Sequence, residues 1–291
     1  MSTRDPLFPH LLPAARELLQ TDNSQRIQAL RADRWIDYPR AVEALGRLQE
    51  LVQTPRRERM PCLLLHGPSN IGKTQIIAKF LRDNPPSYDK FKGVELRPVV
   101  SMQMPPAPDQ KRFYRALLEV LGVPQSPTST LCTLEHIARD ILKRISPQML
   151  VVDEVHHLLA GSAREQRASL NLLKYLANEV KMSIVAVGTS DAPVAFQADA
   201  QIHSRFRPLE LPRWTESDDF RRLLAAFELV LPLRKPSNLQ QRPMAQFILT
   251  ASGGLLGEVS RLLTKGAELA ITTGAEQLSL DMLEDAAYGR R

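Results

Sequence analysis

The chain is poor in the residues that mark several classes of protein. Its 291 residues include two cysteines, Cys62 and Cys132, whose spacing fits no metal site. No apolar run approaches the length of a membrane span, and the segment Met1–Pro6 lacks the apolar core of a signal peptide. These absences argue against a membrane protein or a secreted protein. We therefore expect a protein of the reducing cytoplasm with no membrane partner.

Bulk composition sets only broad limits. The chain is long enough for one large domain or two smaller ones with proper cores. It shows no internal repeat and no low-complexity tract. The net charge of +6 permits an anionic partner such as nucleic acid, but many basic proteins bind no DNA. Function therefore has to be inferred from local motifs.

The pattern G-x-x-x-x-G-K-[ST] indicates a phosphate-binding P-loop. Its glycines allow the backbone to approach phosphate, converging N–H groups bind the anion, and the positive end of the next helix faces the same charge. Lys73 is expected to reach the β- and γ-phosphates of a nucleotide, and Thr74 to offer its hydroxyl to Mg²⁺. The candidate nucleotide-binding residues are Gly67, Pro68, Ser69, Asn70, Ile71, Gly72, Lys73 and Thr74.

The segments around the loop predict the fold. A short apolar strand precedes the P-loop and a helix follows it, and strand and helix patterns alternate from Pro61 to about Leu211. This alternation predicts an α/β domain with a parallel sheet flanked by helices. The predicted strands are Cys62–His66, Leu96–Ser101, Met149–Asp153, Ser183–Gly188 and Arg207–Leu211.

After Leu211 the strand signals fade, and helical patterns predict a small helical domain. We expect an N-terminal extension at residues 1–34, an α/β domain at 35–212 and the helical domain at 213–291. Ser162 and Glu165 form a capping-box pattern that opens a helix to about Val180. The other predicted helices are one through Ala41–Leu48, Gln75–Leu81 after the P-loop, Leu134–Ile145, one from Thr215–Asp218 through Leu231, Met244–Ala251, Leu256–Ile271 and one from about Asp281.

Two acidic residues end the predicted strand Met149–Asp153. Ligands of parallel sheets bind at the carboxyl ends of the strands. Asp153 would hold Mg²⁺, and Glu154 would polarise the attacking water as the general base. The alternative is a buried strand with an exposed acidic end, which is common in proteins.

Three more side chains are candidates for the same site. Thr189 follows the strand Ser183–Gly188 and would orient the water or touch the γ-phosphate. Arg205, with Arg207 behind it, would reach the γ-phosphate of a neighbouring subunit as an arginine finger. Arg261 would report from the helical domain whether ATP is present. The alternatives are an ordinary strand-to-loop turn, a solvated basic edge and a plain surface arginine.

The order of these motifs resembles that of the AAA+ ATPases over about residues 35–285. It comprises a P-loop, an Asp-Glu strand, a polar residue ending the next strand, a Ser-Arg-Phe segment and a helical lid with an arginine. Within AAA+, the sequence looks most like the TniB/TnsC transposition regulators, and the form Asp-Glu-Val-His-His is fairly specific to that group. The residues that carry this resemblance are Asp33–Ala41, His66–Thr74, Asp153–His157 and Gly188–Thr189.

The segment Trp35–Pro39 resembles the one that packs beside adenine in this family. The resemblance implies adenine contacts for Trp35, Ile36, Tyr38 and Pro39. A simple apolar staple for the following helix explains the same residues equally well.

The resemblance also implies a function. It implies ATP and Mg²⁺ as cofactors and a bacterial cytoplasmic protein that binds duplex DNA when loaded with ATP, and is then nucleoid-associated. Such proteins assemble into rings or helical filaments, recruit a DDE transposase and a target-selection protein of the TniQ type, and disassemble on hydrolysis.

DNA contacts in the family come from loops after the second strand. Here this implies Lys111 and Arg112, with Thr130 further along, as contacts to DNA phosphates. Basic residues at a helix start are also commonly just solvated. No aromatic cluster suggests base stacking, so we expect DNA binding without sequence specificity.

Two other classes of function remain open. One is an AAA+ loader or switch for replication or protein-remodelling machinery. A remodelling protein is expected to carry an aromatic-hydrophobic pore loop, and the sequence shows no convincing one, although Tyr88–Phe91 could be mistaken for it. The other is a metabolic P-loop kinase, which leaves the Ser-Arg-Phe segment and the helical lid unexplained. The N-terminal extension and Tyr288–Arg291 are candidate partner contacts without an indicated partner.

Overall fold

The computed structural model describes residues 8–91, 93–197 and 200–289. The first seven residues of the predicted N-terminal extension, and Arg290 and Arg291, lie outside this part. The described residues form two compact units. The first comprises the residues up to Val42, Asn70–Gly72 and the residues from Arg213 onward, and the second comprises Glu43–Ser69 and Lys73–Pro212. The three-domain division predicted from the sequence stays a prediction.

A five-stranded parallel sheet is the centre of the second unit. Seven strands lie in the described part of this unit, and five of them form the sheet. They are β1 (Cys62–His66), β2 (Ser87–Asp89), β3 (Val94–Leu96), β4 (Val99–Gln103), β5 (Met149–Asp153), β6 (Ser183–Gly188) and β7 (Phe206–Glu210). The sheet order is β4-β5-β6-β1-β7, while β2 and β3 form a separate antiparallel pair. β5 and β6 are buried at every residue, as expected for central strands covered on both faces. The predicted parallel α/β sheet is confirmed.

One predicted strand, Leu96–Ser101, is wrong in its bounds. Its first residue belongs to β3, and the sheet strand β4 begins at Val99. Pro98 separates the two because proline has no N–H to donate to a ladder. Its carbonyl accepts hydrogen bonds from the N–H groups of Gln148 and Met149, at 2.9 and 3.1 Å, where β5 begins. The proline therefore ends the hairpin and starts the sheet strand.

The helices flank the sheet in the second unit and make up most of the first. They are α1 (Pro13–Leu18), α2 (Asn23–Arg31), α3 (Pro39–Gln53), α4 (Lys73–Asp83), α5 (Gln110–Val120), α6 (Leu131–Ile145), α7 (Ala163–Val180), α8 (Ala192–Gln197), α9 (Ala200–Arg205), α10 (Asp218–Val230), α11 (Arg242–Ser252), α12 (Leu256–Thr272) and α13 (Leu280–Tyr288). A 3₁₀ helix, Val155–Ala160, follows β5. The predicted capping box of Ser162 and Glu165 is present at the start of α7. No helix in the described parts of the chain is long and apolar enough to cross a membrane.

The proline-rich link between α10 and α11 is held by one buried carboxylate. Glu228 accepts hydrogen bonds from the backbone N–H groups of Ser237, Asn238 and Leu239, at 2.7 to 2.9 Å. A carboxylate that accepts several N–H bonds satisfies a turn that has no ladder partners. The link is therefore an ordered part of the first unit.

A buried ion pair joins α2 to the segment between α12 and α13 of the same unit. Arg26 is 1% exposed, and its guanidinium donates to both carboxylate oxygens of Glu276, at 2.8 and 2.5 Å, and to the carbonyl oxygen of Pro232 at 2.6 Å. The bidentate geometry suits a planar guanidinium. This pair fixes the N-terminal helices within the first unit.

We predict that Arg26→Met destabilises the protein by about 3–5 kcal/mol, because the Glu276 carboxylate, which is 13% exposed, loses its bidentate partner and keeps only its contacts with Arg234. The matched control is Arg31→Met on the same helix, whose pair with Glu268 is solvent-exposed and should matter little. Guanidinium denaturation of both variants measures the difference. Equal losses would show that the buried pair contributes no more than the exposed one.

Candidate nucleotide site

Three predicted elements of the site end at one edge of the sheet. β1 and β5 both pair with β6 in parallel, and His66 lies opposite Gly188 in the register. β1 leads into the P-loop, β5 into Glu154 and β6 into the half-buried Thr189. Because the carboxyl ends of parallel strands share one edge, the structure brings these three segments together.

The two glycines of the P-loop meet different demands. A Cβ at Gly67 would lie 2.3 Å from the carbonyl oxygen of Leu211, whose N–H donates to the carbonyl oxygen of His66 at 2.8 Å. Gly72 has a φ of 102°, which residues with side chains rarely adopt. The first position therefore requires glycine for space and the second for conformation. The other loop residues range from half-buried Pro68 and exposed Ser69 and Asn70 to buried Ile71.

Lys73 folds back on the loop that precedes it. Its Nζ donates to the carbonyl oxygens of Gly67 and Pro68, at 2.8 and 2.7 Å. Burial lowers the pKa of this ammonium group, and the nearby carboxylates of Asp153 and Glu154 act in the opposite direction. A phosphate oxygen is a stronger acceptor for an ammonium group than either carbonyl. The lysine is therefore placed for the predicted phosphate contact.

Thr74 and Asp153 form the predicted metal site. The Thr74 hydroxyl donates to Oδ2 of Asp153 across 3.4 Å, and Asp153 is 9% exposed. Burial raises the pKa of this carboxyl group, while hydrogen bonds from the Glu154 N–H and from Thr74 act against the shift. Mg²⁺ takes hydroxyl and carboxylate oxygens as ligands. The donors present therefore fit the predicted ion.

Glu154 follows β5 in a left-handed backbone conformation, with φ of 58° and ψ of 35°. Its N–H donates to Oδ1 of Asp153 at 2.8 Å, which offsets part of the cost of this conformation. Its side chain is 41% exposed, and Oε2 lies 3.1 Å from Nδ1 of His156. The carboxylate of the predicted general base is therefore placed beside a histidine.

Tyr38 borders the P-loop within the first unit. Its ring centroid lies 6.5 Å from that of Trp35 and 5.6 Å from that of Trp214. A Cβ at Gly72 would lie 3.0 Å from the Tyr38 hydroxyl oxygen. Burial raises the pKa of this tyrosine to about 12, so its hydroxyl stays protonated and able to donate.

The rest of the predicted adenine segment starts a helix. Trp35 donates from Nε1 to Oδ1 of Asp37 at 2.7 Å, Ile36 is half-buried and Pro39 is the first residue of α3. Proline is favoured at this position. Tyr38 thus places the segment next to the P-loop. The segment also opens α3, as expected if it serves as an apolar staple for that helix. Its adenine contacts stay a prediction.

A carboxylate connects the P-loop to the predicted sensor arginine within the first unit. Glu258 accepts a hydrogen bond from the Asn70 amide at 3.1 Å and another from Nε of Arg261 at 2.7 Å. The Gly257 N–H donates to the Asn70 carbonyl oxygen at 2.9 Å. A Cβ at Gly257 would lie 2.3 Å from Oδ1 of Asn70, so a larger residue here would displace the Asn70 side chain. Arg261 is therefore bonded to Glu258, which is itself bonded to Asn70 of the loop.

The structure separates the two arginine-finger candidates. Arg205 is 9% exposed, and its Nη1 donates to Oδ1 of Asn178 on α7 at 2.9 Å. Arg207 lies on the edge strand β7 and is exposed. In this conformation the guanidinium of Arg205 is not presented at the surface, whereas that of Arg207 is. The assignment of the finger stays a prediction.

The predicted DNA contacts lie where two packed helices begin. Lys111 and Arg112 are in the first turn of α5, and the carboxylate of Asp109 caps this turn by accepting from the Arg112 N–H at 2.7 Å. Thr130 caps α6 by accepting from the Thr133 N–H at 3.2 Å. Thr130 therefore has a structural role that needs no DNA, while Arg112 is exposed.

The family model for the bacterial TniB protein matches residues 26–216. This range covers more than half of the chain and includes the P-loop, Asp153, Glu154 and Thr189. The chain belongs to the TniB family. The resemblance inferred from the sequence is confirmed, and no curated protein matches the chain.

Solved structures similar to this TniB-family protein include several Orc and Cdc6 proteins. Cdc6p from Pyrobaculum aerophilum is 13% identical with a TM-score of 0.64, covering 93% of this chain and 73% of that one. The Aeropyrum pernix ORC2 protein, in ADPNP-ADP complexes, is 17% identical with a TM-score of 0.62, covering 89% and 70%. The Aeropyrum pernix ORC1 protein, in complex with DNA, is 16% identical with a TM-score of 0.56, covering 89% and 68%. The predicted AAA+ fold with a helical C-terminal region is confirmed.

Sequence reasoning gave no role to two side chains of this TniB-family site. Glu258 stands three residues before Arg261, a spacing typical of a helical ion pair, and that signal was available. Its bond to Asn70 joins residues 188 positions apart and has no local signal. His156 belongs to the family pattern after Asp153, but the pattern does not indicate which atom it meets.

We predict that Glu258→Gln tightens ATP binding about twofold to fivefold at low salt, because a carboxylate beside the P-loop repels the triphosphate. The glutamine side chain preserves the size of the group. Glu268→Gln is the matched control, since this residue lies on the same helix and is paired with Arg31. Calorimetric titration with ATP measures both. Weaker binding by Glu258→Gln would show instead that the carboxylate holds the loop ready for nucleotide.

Proposed function

We propose that this TniB-family protein is an ATP-dependent regulator of DNA transposition that hydrolyses ATP and assembles on duplex DNA. The observation that carries the proposal is the convergence of Lys73, Thr74, Asp153 and Glu154 at one sheet edge in a chain of this family. These are the side chains that phosphoryl transfer to water requires, because the reaction depends on positioning and charge stabilisation.

Each side chain has a separate task in the proposed hydrolysis. Lys73 exchanges its carbonyl partners for phosphate oxygens, and Thr74 and Asp153 hold Mg²⁺, which when bound neutralises charge on the phosphates. Glu154 accepts the proton of the attacking water. Thr189 orients that water, and Arg261 leaves Glu258 to contact the γ-phosphate.

A neighbouring subunit completes the proposed site. An arginine finger stabilises charge that develops on the γ-phosphate. Arg205 fills this role only after it leaves Asn178, whereas Arg207 is already exposed. We retain Arg205 as the proposed finger, with release from Asn178 as part of assembly into a ring or filament.

DNA binding is supported by similarity and by charge. Aeropyrum pernix ORC1 was solved in complex with DNA, and Drosophila ORC, 14% identical with a TM-score of 0.57, was solved bound to DNA. Within the described parts of this chain, the side chains of Lys111 and Arg112 form no hydrogen bond or ion pair. Together with Thr130 they are the proposed contacts to DNA phosphates, which give affinity without sequence specificity.

The proposed partners are a DDE transposase and a target-selection protein of the TniQ type, on DNA of the bacterial nucleoid. Membership in the TniB family supports this assignment over the rest of AAA+. The similarity to Orc and Cdc6 proteins favours one alternative, an AAA+ loader or switch for replication machinery. Recruitment of a transposase to ATP-bound complexes on DNA separates the two, because a replication loader has no reason to bind one.

We predict that Glu154→Gln lowers the ATP hydrolysis rate about 10²- to 10⁴-fold and leaves ATP and DNA binding intact, because an amide cannot accept the proton. Glu179→Gln is the matched control, since that glutamate lies on α7 and pairs with Lys143. Phosphate release under saturating ATP measures the rates. Equal rates for Glu154→Gln and wild type would remove Glu154 from the mechanism.

We predict that ATP with duplex DNA converts the protein into rings or filaments, and that DNA raises its ATPase rate. Gel filtration and electron microscopy with Glu154→Gln, which should trap the ATP-bound state, detect the assemblies. Lys73→Ala is the control and should not assemble, because it lacks the ammonium group that is proposed to bind the phosphates of ATP. The same species with and without ATP and DNA would contradict the proposed function.

A further inference from the structure

We propose that the 3₁₀ helix Val155–Ala160 couples DNA binding at α5 to the position of the Glu154 carboxylate. The inference rests on the proposed function, because it takes Glu154 as the general base and the start of α5 as a DNA contact. It adds His156 and His157 as positioning residues. The segment Met104–Asp109, between β4 and α5, is called the connecting loop below.

The connecting loop meets the 3₁₀ helix at a histidine. Nδ1 of His157 lies 3.0 Å from the carbonyl oxygen of Met104. A carbonyl oxygen only accepts, so Nδ1 carries the proton and the tautomer of the neutral ring is fixed. The first residue of the loop is thus bonded to the third residue of the helix.

The loop meets the helix again at its other end. A Cβ at Gly161, the residue after the helix, would lie 2.2 Å from Cγ of Pro108. Pro108 is buried, so the ring has no free space to retreat into. The loop and the helix are therefore in contact at both ends, and a shift of one displaces the other.

The far end of the loop leads to the predicted DNA contacts. Asp109 caps α5 with its side chain, which accepts from the Arg112 N–H, and its carbonyl oxygen accepts from the Phe113 N–H at 2.9 Å. Pro108 is therefore the neighbour of the residue that holds the first turn of α5. A phosphate that draws Lys111 and Arg112 outward moves this turn and the loop with it.

The near end of the 3₁₀ helix leads to Glu154. Nδ1 of His156 lies 3.1 Å from Oε2 of Glu154, and the His157 N–H donates to the Glu154 carbonyl oxygen at 3.0 Å. The rings of His156 and His157 lie 4.8 Å apart, centroid to centroid. Both histidines are half-buried on a helix of six residues. A displacement of His157 by the loop therefore acts on the Glu154 backbone through this hydrogen bond. His156, whose Nδ1 is near the carboxylate but makes no hydrogen bond to it, moves with the same helix.

The test is the ratio of the ATPase kcat with saturating duplex DNA to the kcat without DNA. His157→Leu removes the bond to Met104, whereas His157→Asn places an amide N–H where Nδ1 was. We expect His157→Leu to lower the ratio at least about fivefold, which is the lower end of typical coupling between sites. We expect His157→Asn to retain the wild-type ratio. DNA affinity should be unchanged in both, because His157 is not a DNA contact. A merely structural role would instead lower both rates together and leave the ratio intact.

A second pair of variants tests the other contact. Gly161→Ala pushes the Pro108 ring away, and the double variant Gly161→Ala with Pro108→Ala removes the clashing atoms. We expect the first to lower the ratio and the second to restore it. This pair decides the question if His157→Leu does not fold.

The outcomes separate the coupling from the proposed function. A wild-type ratio of one would contradict DNA-stimulated hydrolysis, and the coupling would fall with it. A wild-type ratio well above one that survives in both His157→Leu and Gly161→Ala would overturn the coupling alone.

Discussion

The parallel register of β4, β5 and β6 decides where the candidate catalytic atoms lie. A shift of β5 by one residue would turn Asp153 to the other face of the sheet. Continuous apolar strands do not specify register by alternation, because both faces are buried. Backbone hydrogen bonds at the strand ends supply it instead: the Ser183 N–H donates to the carbonyl oxygen of Gln148, whose own N–H donates to Pro98, and the Met104 N–H donates to Asp153. Backbone hydrogen bonds at both ends of the strands thus set the geometry of the site.

The charged side chains at this edge of the sheet have hydrogen-bond partners within the site itself. Lys73 uses carbonyl oxygens of its own loop, and Asp153 uses the Glu154 N–H and the Thr74 hydroxyl. Burial lowers the pKa of Lys73 and raises that of Asp153, so each charged form is costly to keep away from water. Every one of these partners is exchangeable for a phosphate oxygen or a cation. A bound nucleotide with its cation would therefore replace hydrogen bonds that Lys73 and Asp153 already make.

Features that depend on neighbouring residues could be read from the sequence, and features that depend on distant ones could not. Residues a few positions apart specify three of these features: the P-loop, the acidic end of β5 and the Ser162 capping box. The start of β4 was missed because the apolar run continues through Pro98, whose missing N–H decides the break. The burial of Arg205 depends on Asn178, which lies 27 positions earlier on another helix. No local pattern distinguishes an arginine that is free to cross an interface from one already bonded within its own chain.

Strand order explains why the connecting loop before α5 lies beside the segment that carries Glu154. β4 and β5 are adjacent in the sheet although a loop and two helices separate them in the chain. Whatever follows β4 must therefore leave the sheet beside the end of β5, and the Met104 N–H donates to the Asp153 carbonyl oxygen at 2.7 Å at this point. The loop that leads to α5 contacts His157 of the 3₁₀ helix and Gly161, the residue after that helix. The coupling proposed above therefore requires no added element, because the two segments already contact each other.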